Sequence, residues 1–255
     1  MANILIEVEG SVASITLNRP ERHNSLVPAL LEELHEGLDA LRRQEELRAL
    51  VLQANGPSFS TGGDVRAFHE QGEQVGTYAT RLVGRLNDIV LGLLDFPVPV
   101  VAAVQGIVTG GSLGLVLASD IVLVAPHVTF APYYPVVGFS PDGGWAALLP
   151  HVIGPKRAAE ILMRNLAITA EQALAWGLAS RIVAAEQIRA EAHSVAGEIA
   201  AMQPGSIRRT RRLLRPAYPD ARAGLVEEHR EFCAQVVTPE AAEGMAAFLA
   251  ARSKR

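Results

Sequence analysis

Apolar positions in the first half of the chain predict strands before helices. In "NILIEVEGSVASITLN" (3–18), two stretches rich in Ile, Val and Leu flank a Glu-Gly step, the pattern of a hairpin. The polar segment "RPERHNSLVP" follows, with Ser25 or Asn24 as the expected cap of the next helix. In "PALLEELHEGLDALRRQ", Leu31, Leu34, Leu38 and Leu41 recur at helical spacing and form one apolar stripe. "LRALVLQAN", "PVPVVAAVQ" and "DIVLVA" are short, almost unbroken apolar runs, as expected of parallel strands buried on both faces. Helical stretches are expected near 76–94, 112–119 and 143–149. Strands and helices do not alternate one for one, so a coiled stack of ββα units fits better than a doubly wound sheet. After "RIVAA" (181–185) the strand signals stop, and 186–252 reads as helix broken at Pro204 and Pro216. The division predicted is a ββα core over 1–190 and a helical region over 191–255.

Composition narrows the classes. A chain of 255 residues that is 49% hydrophobic and 20% charged can bury a large core. Its net charge of −4 gives no overall pull toward nucleic acid or anionic membrane. The single Cys233 excludes an internal disulfide and a cysteine-based zinc site, and the histidines at 69, 127, 151 and 193 lack ligand spacing, so no metal is expected. "MANILIEVEG" lacks the features of a signal peptide, and the apolar run near 98–104 is too short to span a bilayer; a cytoplasmic setting is expected. The arginines of "SIRRTRRLLRPA" (208, 209, 211, 212 and 215) have no interleaved aromatic residue and read as a solvated helix face, not an RNA site.

Three short stretches are candidates for chemistry. "FSTGGDVRAF" (59–68) and "QGIVTGGSLGLVLASD" (105–120) each place a glycine pair just after a strand. Neither has the pattern of a dinucleotide fold or a P-loop. Glycines there either let helix pack on strand or bare backbone N–H groups to a ligand; two such loops converging would make an oxyanion hole. The residues alone leave both readings open. In "GFSPDGGW" (138–145), Asp142 sits in a strong turn signal and is either a turn residue or a proton-moving carboxylate.

Six ordered blocks, "ITLNRPERHNSL", "FSTGGDVRAF", "AAVQGIVTGGSLGLVLASDIVLVAP", "GFSPDGGWAALLPHVIG", "AITAEQALAWGLASRIV" and "EGMAAFLAAR", resemble the enoyl-CoA hydratase/isomerase (crotonase) family over nearly the whole chain. The resemblance implies an α/β fold, a crotonase-like ββα spiral core with a helical C-terminal region that assembles trimers or hexamers. It implies an acyl-CoA thioester as substrate, with coenzyme A entering as part of that substrate and no tightly bound cofactor. The backbone N–H groups of Gly63 and Gly111 would be the two oxyanion donors. The positions of the two hydratase glutamates fall on Gly114 and Tyr134, which speaks against hydration. Asp142 falls where isomerase and dehalogenase branches keep an aspartate.

The resemblance places Arg22 and His23 where the family contacts coenzyme A, and Asp64, Val65 and Arg66 beside the first glycine loop are further binding candidates; Tyr134 reads either as acyl-pocket lining or as packing, Trp145 as part of an apolar wall near Asp142, and Asp64 also as the cap of a short helix. Phe248 and Arg252 would reach a neighbouring subunit's coenzyme A, with Ala251 where the family carries lysine. The reading that follows is an isomerase working through a thioester enolate. Hydrolysis or dehalogenation through Asp142, and a catalytically silent coenzyme A binder, are its alternatives.

Overall fold

The computed structural model describes residues 2–214 and 220–252; Arg215, Pro216 and the side chain of Arg252 lie outside it. Strands β1 (Ile4–Glu9) and β2 (Val12–Leu17) form the expected antiparallel hairpin, closed by Gly10 at φ +60°. Helix α1 (Pro28–Arg42) buries Leu31, Leu34, Leu38 and Leu41 as their spacing predicts. Its cap is neither Asn24 nor Ser25: Val27 precedes it, and Pro28 supplies the preset φ of a first turn. Asn24 is used elsewhere, donating to the carbonyls of Asn55 (2.8 Å) and Ser58 (2.9 Å) and so tying two loops together.

The three apolar runs are β3 (Ala49–Ala54), β4 (Val100–Val104) and, after the short strand β5 (Ile107–Thr109), β6 (Ile121–Val124). With β7 (Thr129–Ala131), β8 (Ile168–Thr169) and β9 (Arg181–Ile182) they build two sheets. The larger has the order β1-β2-β3-β4-β6-β9 and is parallel from β2 onward; the smaller is β5-β7-β8. In the pairs β4/β5 and β6/β7 the first strand lies in the large sheet and the second in the small one, whereas β8 joins the small sheet and β9 the large one. A helix closes the unit that β4 and β5 begin, so the chain advances as a spiral of ββα units. Even the first turn of the spiral shares this pattern, because Ser60 bridges to Val108 of β5. The short strands β5, β7 and β8 were not legible as separate elements, being two or three residues long.

Helices α2 (Val65–His69) and α3 (Val75–Leu94) both follow β3, α4 (Leu113–Leu117) follows β5, α5 (Tyr134–Val137), α6 (Leu149–Ile153) and α7 (Pro155–Arg164) follow β7, and α8 (Ala170–Trp176) follows β8. The stretch expected as helix at 143–149 is instead a turn, since Gly143 (φ +61°) and Gly144 (φ +90°) are left-handed; helix begins only at Leu149. Among the described residues, β9 is followed by α9 (Ile188–Ala200), α10 (Pro204–Leu214), α11 (Ala221–Val236) and α12 (Pro239–Arg252). The division expected at 190/191 falls inside α9. That helix lays Ile188, Ala192, Val195 and Ala196 on the sheet face made by Ala49, Val51, Val101 and Ala103, and so belongs to the core layers. Helix α11 packs on α3, and α12 on α2 and α5. Among the described residues, no helix is long and apolar enough to cross a membrane.

The arginine run on α10 is not a uniform solvated face. Arg211 turns inward, its side chain only 10% exposed, and pairs with Asp120 (Nε to Oδ2, 2.7 Å). Its remaining N–H groups reach the carbonyls of Leu93 (2.8 Å), Leu94 (3.1 Å) and Phe96, closing the C-terminus of α3, where helical carbonyls lack intrahelical partners. Asp120 Oδ2 also accepts the N–H of Val100 at the start of β4 (2.8 Å). One guanidinium therefore joins three elements. Arg211→Ala is expected to lower unfolding free energy by about 2–4 kcal/mol, while the exposed Arg212→Ala changes it by less than about 0.5 kcal/mol; urea titration of both variants distinguishes them.

Candidate active site

Three loops build the site. The first leaves β3 and passes through Ser60, Gly62 and Gly63. Leu26 N–H donates to Gly62 O (2.7 Å), and Asp64 N–H to Leu26 O (3.2 Å), so this loop is paired along its length like a strand. Asp64 then caps α2, its Oδ1 accepting from the backbone of Arg66 (3.1 Å) and Ala67 (3.3 Å). The second loop follows β5 through Gly110 (φ +54°) and Gly111 into a short 3₁₀ turn ahead of α4. Ser112 Oγ lies 3.1 Å from Ser60 O and 2.7 Å from Thr109 O, tying the second loop to the first. The N–H groups of Gly63 and Gly111 donate to no protein acceptor among the described residues, and both glycines line one cavity of about 360 Å³.

The third loop carries Asp142. Its carboxylate lies against Gly111: a Cβ on that glycine would stand 2.9 Å from Asp142 Oδ2 and 3.0 Å from Oδ1. Asp142 lines the same cavity, is 7% exposed, and accepts a 2.6 Å hydrogen bond at Oδ1 from the Tyr134 hydroxyl. Burial pushes its carboxyl up from 3.8 to about 7, with the nearby Glu228 carboxylate adding to the rise and the Tyr134 hydrogen bond opposing it. A carboxyl poised near neutrality can both take and give a proton there. The turn geometry and the ionisable side chain are two properties of the same residue.

Glu228, on α11, holds this loop from behind. Its carboxylate accepts the N–H groups of Gly144 (2.8 Å), Ala146 (2.6 Å) and Ala147 (2.9 Å). Burial raises its pKa, and those three donors oppose the rise. Sequence reasoning missed it, although a signal existed. Leu225, Phe232 and Val236 mark the apolar stripe of α11, and an acid at 228 stands on that stripe.

The remaining candidates divide between the cavity and its scaffold. Arg22, His23, Val65 and Arg66 line the cavity's exposed end, where Arg22 pairs with Asp64 at 3.2 Å and His23 Nδ1 lies 3.0 Å from Ser58 Oγ. The inner wall is apolar, with Leu82 and Leu86 of α3 beside Phe68, Phe139 and Phe232, whose ring centroids stand 5.1–5.8 Å apart. Trp145 does not line the cavity. It is fully buried, and its indole N–H donates to Gly110 O at 2.8 Å, so it steadies the second loop instead of touching a ligand. Phe248 lines this chain's own cavity and meets Tyr133 edge-on at 6.2 Å. The position of Arg252 in the site lies outside the described residues.

Gly114 explains one departure from the hydratase pattern in steric terms. A Cβ there would stand 2.6 Å from Gly143 O and 2.7 Å from Val90 Cγ2, so the Asp142 loop occupies the space a glutamate at 114 would need. Tyr134 occupies the other glutamate position and points its hydroxyl at Asp142. Asp142 is thus the buried carboxylate set against Gly111, while the other carboxylates lining the cavity, Glu21 and Asp64, stand toward its exposed end.

A profile of the enoyl-CoA hydratase/isomerase family matches residues 7–255. The chain belongs to that family. It is 30% identical to the 1,2-epoxyphenylacetyl-CoA isomerase of Escherichia coli, over 99% of this chain and 97% of that one. It is 34% identical to a probable enoyl-CoA hydratase of Mycobacterium tuberculosis, over 80% and 73% of the two chains. Among solved structures, an enoyl-CoA hydratase/isomerase from Mycobacterium paratuberculosis superposes with a TM-score of 0.90 at 27% identity, over 97% and 98%. The spiral of ββα units described above is therefore the crotonase fold.

Two outcomes follow from the loop geometry. Because the Asp142 carboxyl binds its proton more tightly in the native state than in the unfolded chain, native stability falls as pH rises from about 4 through about 7. Asp142→Asn removes that loss, so its advantage in thermal midpoint over the parent is expected to be small at pH 4 and to grow up to pH 8. Gly114→Glu is expected to cost about 3 kcal/mol or more through overpacking and burial of a charge, read by urea unfolding, and to confer no hydration.

Proposed function

We propose that the chain is an acyl-CoA isomerase that moves a carbon–carbon double bond by proton transfer. The observation that carries this reading is one buried carboxylate, Asp142, set against Gly111 in a cavity that also holds Gly63, while the two hydratase glutamate positions are Gly114 and Tyr134. The thioester oxygen accepts from the N–H groups of Gly63 and Gly111. Asp142 takes a proton from C2 of a 3-enoyl thioester; the C–H pair delocalises into a dienolate whose negative oxygen those N–H groups stabilise. The same carboxyl returns the proton to C4, which leaves the double bond between C2 and C3. Each oxyanion donor is worth about 10²–10³ in rate, and the positioned base about 10²–10⁴. Arg22, His23 and Arg66, at the exposed end of the cavity, suit the phosphates of coenzyme A, and the leucine and phenylalanine wall suits the acyl chain. The similarity to an acyl-CoA isomerase over nearly the full length supports the same reading.

The test offers 3-enoyl-CoA to the protein and resolves the products. Conversion to 2-enoyl-CoA without 3-hydroxyacyl-CoA is expected, with kcat falling about 10²–10⁴-fold in Asp142→Asn while the thioester still binds. Accumulation of 3-hydroxyacyl-CoA, release of free coenzyme A, or an acyl adduct trapped on Asp142 would each replace this reading with another.

A further inference from the structure

The hydroxyl of Tyr134 has two acceptors on the same residue within reach: Asp142 Oδ1 at 2.6 Å and Asp142 O at 3.0 Å. Both are acceptors when Asp142 is ionised, so the phenol must be the donor. No other side chain donates to the carboxylate among the described residues. Tyr134 is itself 4% exposed and held on several sides. It meets Trp145 edge-on at 6.4 Å and 84°, and Trp145 is bonded to Gly110 O. The residue before it, Tyr133, has φ +60°, a conformation that costs a bulky side chain of order 1 kcal/mol or more, and its N–H is taken by Asn165 Oδ1 at 2.9 Å. A strained backbone, an aromatic contact and a hydrogen bond together aim one hydroxyl at one carboxylate oxygen.

We infer that Tyr134 is a positioning residue, whose hydroxyl engages Oδ1 of Asp142 and leaves Oδ2 as the oxygen that exchanges a proton with substrate. This rests on Asp142 acting as the base. When Asp142 is ionised, the Tyr134 proton lies toward Oδ1. When Oδ2 carries the proton, the main-chain oxygen of Asp142 shares the hydroxyl, so the buried phenol stays paired in both states. The hydrogen bond favours the anion and lowers the carboxyl pKa against the opposing effects of burial and Glu228. Burial and the Asp142 carboxylate push the phenol itself well above its ordinary value, so it is a fixed donor and not a second base. The other charged groups in the cavity, Glu21, Arg22, His23, Asp64 and Arg66, line it along the segments that hold Gly63 and α1's approach, whereas Glu228 faces the loop from α11.

The deciding experiment is the pH profile of kcat/KM for isomerisation in the parent and in Tyr134→Phe, together with the ¹³C titration of the Asp142 carboxyl in the protein without substrate. The acidic limb is expected to move up by about one pH unit, with activity below the limb falling about tenfold, KM little changed, and the carboxyl titration moving the same way. Tyr78→Phe, which removes a buried hydroxyl lacking a protein partner, should leave the limb in place. Difluorotyrosine in place of Tyr134 keeps the shape and strengthens the donor, and should move both readouts downward; it serves if Tyr134→Phe does not fold. An unmoved carboxyl titration would overturn the inference, as would a raised KM at unchanged kcat, which would make Tyr134 a substrate contact. Absence of isomerisation with a shifted carboxyl titration would overturn the proposed reaction and leave the Tyr134 pairing standing.

Discussion

Backbone-to-backbone contact between the loop after β5 and the Asp142 turn is the constraint on which the site depends. A Cβ on Gly143 would come within 2.5 Å of Gly111 Cα, and one on Gly111 would stand 2.9 Å from the Asp142 carboxylate. At Gly143 the obstruction is backbone and φ is a left-handed +61°, so no L side chain fits there, and at Gly111 a side chain would displace Leu86 and the Asp142 carboxylate. Because the loops touch at main-chain distance, Gly111 and the Asp142 carboxylate, from segments about thirty residues apart, line one cavity. Widening this contact by the thickness of a methyl group would move the Asp142 carboxylate away from Gly111.

What holds the contact is a shell of polar side chains that never reach the cavity's chemistry. Ser112 joins the second loop to the first, Trp145 fastens Gly110, and Glu228 gathers three N–H groups of the Asp142 loop. A buried carboxylate such as Glu228 is tolerable because each donor it accepts offsets part of the cost of leaving water. Its charge also raises the Asp142 pKa, so one residue both anchors the loop and tunes its acid. Tyr134 acts in the opposite sense on the same carboxyl. The proton affinity of Asp142 is thus a balance between burial and Glu228 on one side and the Tyr134 hydroxyl with a backbone hydrogen bond on the other.

Packing at Gly114 ties the second glycine loop to the Asp142 turn. The Asp142 loop and Val90 fill the space beyond that glycine, so a glutamate base at 114 and the observed path of the loop exclude each other. The arrangement of one carboxylate with a tyrosine, in place of two glutamates, is a packing choice as much as a chemical one. Helix α12 adds a second local feature, bringing Phe248 over the chain's own cavity and against Tyr133.

Strands, helices and glycine loops were legible because their signals are local. Leucine spacing predicts α1, unbroken apolar runs predict β3, β4 and β6, and glycine pairs after strands mark both loops. Short motifs marked the glycine loops and the Asp142 turn that line the cavity, while the motifs alone left their roles open. Long-range pairing could not be named that way. That Trp145 would bond Gly110 and not a ligand, that Glu228 would reach eighty residues back to a turn, and that α9 would join the core sheet depend on which surfaces meet after folding. The chain by itself determined which segments could form and which groups could ionise. Only the tertiary structure decided how those groups perturb one another, because burial and hydrogen bonding act across distances that sequence order does not encode.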